Sequence, residues 1–151
     1  MTHIIDNVFL GSYWDSMCPQ IIDGNNIRYV ISVSYECNSM PHYNHYKPDA
    51  VLHQRYDILG DQDMKPFIFE TIYQTIKQAQ QEGKGVLIHC VHGMHRSPTF
   101  VLYYLLRRYQ ATIDESLNYL KQRRPVVDPP INYLNLLLTL PKVKQTLLSI
   151  K

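Results

Sequence analysis

The sequence predicts a single α/β domain with a central mixed, mostly parallel sheet flanked by helices, and three observations carry that reading. Short β-branched runs bounded by turn residues alternate with amphipathic helical patterns, after which helical patterns follow one another alone. The chain's 151 residues fit one core, since domains usually hold about 100–200 residues. No repeat of about 20–50 residues and no Gly/Ser-rich or Pro-rich linker divides it, so residues 1–151 are read as one domain.

Strand signals fall at Val8, Phe9 and Leu10, at residues 29–33, at residues 51–58 and at residues 86–89, each flanked by turn residues. Pro66 fits a helix start, and Phe69, Ile72, Tyr73 and Ile76 repeat at helical spacing until Gly83 and Gly85 end the run. Residues 97–109 predict a second helix, apolar enough for deep burial, with Arg107 and Arg108 placing cations in its last turn. Thr112 and Glu115 read as a capping box that opens a third helix carrying Leu117 and Leu120, which Pro125 stops. Asp128 and Pro129 are expected to supply the cap and first-turn proline of a last helix through Leu138, kinked or ended by Pro141.

Composition narrows the function. Fifteen Lys and Arg against thirteen Asp and Glu give a net charge of +2, far from the basic balance of a dedicated nucleic-acid binder, so no nucleic-acid partner is expected. The longest apolar run, residues 100–106, is well short of the roughly 18 residues of a membrane span. Residues 1–7 lack a basic start followed by an apolar stretch, so no secretory signal is read and a cytoplasmic protein is expected, the nucleus remaining open. Cys18, Cys37 and Cys90 cannot complete a disulfide set and contain no CxxC pair, which leaves at least one free thiol.

Open parallel sheets bind ligands at the carboxyl ends of their strands, which makes the loop after Ile88 the expected site. That loop runs His89, Cys90, Val91, His92, Gly93, Met94, His95, Arg96, Ser97 between a buried strand and a buried helix. Five residues between Cys90 and Arg96 let the backbone curl into a nest whose amide N–H groups converge on an oxyanion. Phosphate fits such a nest, because Arg96 offers a planar fork for two oxygens and the following helix offers its positive end. Val91, His92, Gly93, Met94, His95 and Arg96 are therefore the expected phosphate-binding residues. Cys90 lies beneath the phosphorus in this reading. Helix N-termini and nearby cations lower a thiol pKa from about 8.5 to about 3.5–7.5, so a thiolate nucleophile is expected. Lowering by about three units corresponds to roughly 4 kcal/mol, more than the ~0.3–2 kcal/mol of a helix end, so the amides, Arg96 and the Ser97 hydroxyl must share the rest.

Two plainer readings compete. A lone cysteine is often only a small buried hydrophobe, but Gly93, Arg96 and Ser97 at fixed offsets make coincidence roughly one in a thousand per cysteine. His89, Cys90, His92 and His95 are potential zinc ligands, yet adjacent strand residues such as His89 and Cys90 point to opposite faces, and Arg96 beside a dication is unfavourable. No metal and no cofactor is expected. Cys37, His42 and His45 are more loosely spaced in a polar, Tyr-rich loop and read as solvated.

The segment from His89 to Ser97 resembles the HCxxGxxRS signature of the cysteine-dependent protein phosphatases, in particular their small dual-specificity branch. The resemblance covers nearly the whole chain. Residues 5–12 are similar to that branch's opening strand, residues 27–33 to its next one, and Gln122, Arg123, Arg124, Pro125, Val126 and Val127 to the stretch before its final helix. It implies the cysteine-phosphatase fold, Cys90 as nucleophile, Arg96 as phosphate ligand, Ser97 assisting departure of the sulfur, and His89 as a structural support of the loop. The chain departs from the pattern at His92, where Ala is common, at His95, where a small residue is usual, and at Pro130, where an Asn is usual. The two histidines read as tolerated rim substitutions, with tuning of substrate choice or pH profile as the alternative.

A general acid must come from Asp57, Asp61 or Asp63. Asp57 lies in or at the end of the strand predicted over 51–58, whereas Asp61 and Asp63 occupy the loop after it, at the edge that carries Cys90 if the strands run parallel. The family's spacing from acid to cysteine favours Asp61, with Asp63 second, and a turn cap ahead of Pro66 suits Asp63. The resemblance implies a phosphomonoester hydrolase acting on phosphotyrosine and phosphoserine or phosphothreonine of proteins through a phosphocysteine. A phosphoinositide, RNA 5′-phosphate or phosphoglucan substrate is the alternative. A phosphoprotein-binding module with little turnover is another, against which Cys90 argues because binding alone needs no thiolate. The oligomeric state is not set by the sequence.

Overall fold

The computed structural model describes residues 1–37 and 51–143, so the expectation for His42 and His45 lies outside it. Five strands, β1 (Thr2–Ile5), β2 (Val8–Gly11), β3 (Ile27–Val33), β4 (Leu52–Tyr56) and β5 (Gly85–His89), form one sheet of order β1-β2-β5-β3-β4. The outer strand β1 is antiparallel to β2, and every other pairing is parallel. Around it stand α1 (Tyr13–Ser16), α2 (Pro19–Gly24), α3 (Pro66–Gln81), α4 (Arg96–Tyr109), α5 (Ile113–Arg123) and α6 (Ile131–Leu137). This is the mixed, mostly parallel sheet flanked by helices that the sequence predicts. No helix among the described residues is long and apolar enough to cross a membrane.

Period-two alternation sorts the strand side chains onto two faces. Val8, Leu10, Tyr29, Ile31, Val33, Val86 and Ile88 enter the larger core, which α3, α4, α5 and α6 close with Phe69, Phe100, Leu120 and Leu137. Val30 and Leu87 enter the smaller one beside Ile22 of α2. β5 lies at the centre and all five of its residues are buried. α4 is buried continuously from Ser97 to Leu106, and its Phe100 ring stacks on Phe69 at 4.4 Å. The loop from β5 to α4 therefore joins the most buried strand to the most buried helix, at the carboxyl edge of the parallel strands.

β1, α1 and α2 are not anticipated by the sequence pattern. Each is short, and β1 exists through its pairing with β2 across a turn in which Asp6 takes φ 52°. The Asp6 carboxylate accepts from the Tyr104 and Tyr109 hydroxyls at 2.6 Å each, so α4 holds the turn in place. Two expected caps are corrected. α6 begins at Ile131 with Pro130 as its N-cap, while the Asp128 N–H donates to the Met94 carbonyl at 2.8 Å, recruited by the site loop instead of by the helix. Asp63 does not cap α3. Its carboxylate accepts from the N–H groups of Leu59 and Gly60 and closes a 3-10 turn over Asp61–Asp63. The helix α3 starts at Pro66 without a side-chain cap.

The capping box of α5 stands as the sequence predicts: Thr112 Oγ1 accepts from Glu115 N–H at 3.1 Å and Glu115 Oε1 accepts from Thr112 N–H at 2.9 Å. Thr112→Ala is expected to cost about 1 kcal/mol, lowering Tm by about 2–4 °C in a chain of this size. Thermal denaturation checks this, and an unchanged midpoint would show that α5 is held by packing alone.

Candidate active site

Each carbonyl from Cys90 to His95 accepts a hydrogen bond from the surrounding structure. The donors, in order, are His89 Nδ1 at 3.0 Å, Tyr13 N–H at 2.9 Å, Arg124 Nη2 at 3.0 Å, Arg124 Nε at 3.1 Å, Asp128 N–H at 2.8 Å and the Thr99 hydroxyl at 2.9 Å. In a trans peptide the N–H opposes the carbonyl, so the amides of residues 91–96 are turned inward to a common centre. Gly93 takes φ 68°, and a Cβ there would lie 2.6 Å from the Gly11 carbonyl oxygen and 2.8 Å from Arg124 Nη2, so only glycine fits. α4 begins at Arg96 without a side-chain cap, leaving its positive end open to the same centre.

Cys90 sits at the base, 3% exposed, with Sγ 3.2 Å from Ser97 Oγ. Burial alone would push this thiol up. The Ser97 hydroxyl and the backbone N–H groups of Ser97, Gly93 and Met94 outweigh it, so the Cys90 pKa lies below the ordinary thiol value. Hydrogen bonds to a charged acceptor contribute about 1.5–3 kcal/mol each, which explains how several of them exceed what a helix end gives.

Arg96 Nη1 donates to Glu36 Oε1 at 2.6 Å and to the Ile58 carbonyl at 2.8 Å. Its Nε and Nη2 take no partner among the described residues, which leaves the edge that matches two phosphate oxygens. The Arg96 hydrogen bond holds the Glu36 carboxyl at about 2. Sequence reasoning missed Glu36. The available signal was the parallel pairing of β3 with β5, which brings the segment after Val33 to the same sheet edge.

His89 uses both ring nitrogens. Nδ1–H donates to the Cys90 carbonyl, so Nε2 accepts from the Ser32 hydroxyl at 2.6 Å, and Ser32 Oγ in turn accepts from His53 Nε2–H at 2.8 Å. Burial is the main reason its pKa falls to about 4. Ser32 and His53 were not foreseen, because their roles depend on strand register. The rim histidines also have partners: His95 Nδ1–H donates to the Asp128 carbonyl at 2.6 Å, and His92 stacks on the exposed Trp14 at 6.2 Å. Among the described residues no three His, Cys, Asp or Glu side chains gather as a metal site.

Of the three aspartates, Asp57 is exposed and paired with Arg55 at 2.6 Å, and Asp63 is committed to its turn. Asp61 opens that turn, half-buried, and its carboxylate takes no hydrogen-bond partner among the described residues. Burial raises the pKa of the Tyr133 phenol on α6, which also lies near enough to Arg96, Asp61 and Cys90 to feel the charge of each.

A family model described as "Dual specificity phosphatase, catalytic domain" matches residues 8–142. The chain belongs to that family. It is 31% identical over 139 residues to the tyrosine-protein phosphatase vhp-1 of Caenorhabditis elegans, an alignment covering 91% of this chain and 20% of that protein. To dual specificity protein phosphatase 16 of Homo sapiens it is 28% identical over 142 residues, covering 91% of this chain and 20% of that protein. The chain thus spans about one fifth of the length of these two relatives. Among solved structures it is similar to human DUSP28, with a TM-score of 0.81, 19% identity and full coverage (100%) of both chains. It is also similar to PTPMT1 in complex with PI(5)P, with a TM-score of 0.76 and 20% identity, covering 89% of this chain and 90% of that one. These likenesses show the shared cysteine-phosphatase fold.

The network around His89 has a consequence for stability. Above about pH 6.5 the ring is neutral in both the folded and the unfolded chain, whereas between 6.5 and about 4 only the unfolded chain takes up the proton. Stability is expected to fall by roughly 3 kcal/mol as pH drops through that window. Urea unfolding at pH 7, 5.5 and 4.5 should show a flatter dependence for His89→Gln than for the wild type. Equal slopes in the two proteins would place the titration elsewhere.

Proposed function

We propose that the chain is a phosphomonoester hydrolase that removes phosphate from phosphotyrosine and from phosphoserine or phosphothreonine of proteins. The observation that carries this is the convergence of inward-turned amides and the open Arg96 edge on a buried thiol whose pKa lies below the ordinary value. Phosphate held by the amides of Val91, His92, Gly93, Met94, His95 and Arg96 and by the guanidinium places phosphorus above Cys90 Sγ. The thiolate attacks phosphorus in line, the ester P–O bond breaks, and the leaving oxygen takes the proton of Asp61. A water then attacks the phosphocysteine as Asp61 accepts its proton, and the sulfur leaves as a thiolate that receives a hydrogen bond from Ser97. No metal or cofactor enters this scheme.

The composition of the rim supports the protein-substrate reading. The loop carries no cation besides Arg96, and Arg124 is committed to loop carbonyls, which disfavours headgroups or polynucleotides with several phosphates. The likeness to PTPMT1 with PI(5)P bound favours the lipid reading, and that of a phosphoprotein-binding module fits the amides and Arg96 but gives Cys90 no task. A cytoplasmic or nuclear location accords with protein substrates.

Cys90→Ser is expected to abolish release of phosphate from an aryl phosphate while retaining phosphate-ester binding, and turnover near the wild-type rate would remove Cys90 as nucleophile. Asp61→Asn should slow phosphotyrosine peptide about 10²–10⁴-fold, far more than an activated aryl phosphate, because only the poorer leaving group depends on the acid's proton. Asp63→Asn should show no such selective loss. Equal losses on both substrates for Asp61→Asn, or a selective loss in Asp63→Asn or Asp57→Asn, would identify another acid.

A further inference from the structure

Arg124, the C-cap of α5, lies outside the HCxxGxxRS segment and does not face the phosphate centre. All three of its nitrogens bond fixed groups: Nε to the Gly93 carbonyl at 3.1 Å, Nη2 to the His92 carbonyl at 3.0 Å and Nη1 to Thr2 Oγ1 at 2.9 Å. A trans peptide rigidly couples each carbonyl to the N–H on its far side. The His92 carbonyl is thus coupled to the Gly93 N–H, and the Gly93 carbonyl to the Met94 N–H. Those two amides, with that of Ser97, are the backbone donors to Cys90 Sγ. One guanidinium grips the back of both peptides whose front faces the sulfur.

We propose that Arg124 is a positioning residue that sets the reactivity of Cys90 by holding these two peptide planes, without itself touching substrate. The proposal deepens the reading of Cys90 as nucleophile and rests on it. A planar fork is needed, because two carbonyls from successive residues must be held in one orientation, and a lysine ammonium is a point charge with no such geometry. The hydrogen bonds also polarise the peptides and strengthen their N–H groups as donors. Gly93 fits the same device, since a side chain there would approach Arg124 Nη2 to 2.8 Å. Among the described residues, the titratable and charged groups whose charges couple to the sulfur from neighbouring elements are Arg96 on α4, Cys37 beyond β3 and Tyr133 on α6, and Arg124 hydrogen-bonds none of them.

The test reads the Cys90 thiolate directly, as the pH dependence of iodoacetamide alkylation of the Cys90 peptide, followed by mass spectrometry. Arg124→Lys and Arg124→Met are expected to raise the midpoint by about one pH unit, a tenfold change in thiolate fraction below it, with Met shifted further than Lys. Aryl phosphate kcat/KM should fall by a similar factor at acid pH and recover above the new midpoint. Thr2→Val, which leaves both loop carbonyl bonds in place, should keep the wild-type midpoint. An unchanged midpoint in Arg124→Met overturns the proposal whatever happens to turnover. Alkylation reports on Cys90 even if Cys90→Ser proves active, so failure of the nucleophile reading is seen separately. Should the Arg124 variants fail to fold by circular dichroism, NMR of the wild type decides: the Arg124 Nε–H and the Gly93 and Met94 amide resonances should titrate with the alkylation midpoint, and signals that do not move overturn it.

Discussion

Turning successive amides toward one point leaves their carbonyls to be satisfied elsewhere, and the fold is arranged around finding them partners. A buried carbonyl without one costs about 1–3 kcal/mol, so a loop with all of them unpaired would not hold its shape. The donors come from segments far apart in the chain: Tyr13 at the start of α1, Thr99 in α4, Arg124 at the end of α5 and Asp128 before α6. His89 completes the set from within the central strand, and its ring is fixed by Ser32 on β3 and His53 on β4. Sheet, central helix and the final helical segments therefore meet at the loop, and its geometry exists only when all of them are in place.

This arrangement decides the contest at Cys90. Removing an anion from water costs several kcal/mol, and here burial does raise the thiol. The opposing bonds from Ser97, Gly93 and Met94 win because their donors are already oriented when the sulfur ionises, so no reorganisation is charged against them. Arg96 follows the same logic with a different anchor. Glu36 and the Ile58 carbonyl both hold Nη1, which fixes the plane of the guanidinium and leaves its Nε and Nη2 edge directed elsewhere. A carboxylate next to an anion-binding arginine looks counterproductive until this division of donors is seen.

Local patterns were legible in the sequence and long-range recruitment was not. The strand into β5, the loop and the apolar helix α4 could be read because hydrophobic period, chain position and loop composition agree there. The Thr112 capping box was legible because its two partners are three residues apart. Asp128 looked like a local helix cap, but its N–H and carbonyl are claimed by Met94 and His95, more than thirty residues away in sequence, and the helix starts later. Asp63 looked like a cap for α3 and instead closes the turn behind it. Ser32 and His53 carry no signal of their own, since what joins them to His89 is the parallel register that sets Ser32 beside His89 and Val30 beside His53. Glu36 and Arg124 were ordinary charged residues until the fold set them at the loop.

The same geometry explains which positions of the loop have to be fixed and which are open. Binding by main-chain amides makes no demand on the side chains of Val91, His92, Met94 or His95, so those positions are free to serve the rim, as the stacking of His92 on Trp14 and the bond from His95 to Asp128 illustrate. Gly93 has no such freedom, because its backbone needs a positive φ and Gly11 and Arg124 occupy the space of a Cβ. His89 is held because its Nδ1 must donate while its Nε2 accepts, which requires a neutral ring in a buried place. Ser97 is held because it sits in the first turn of α4, where its hydroxyl reaches Sγ at 3.2 Å. Five fixed residues, His89, Cys90, Gly93, Arg96 and Ser97, with an open pair on either side of the glycine, suit a phosphate-sized ring of amides around a buried sulfur.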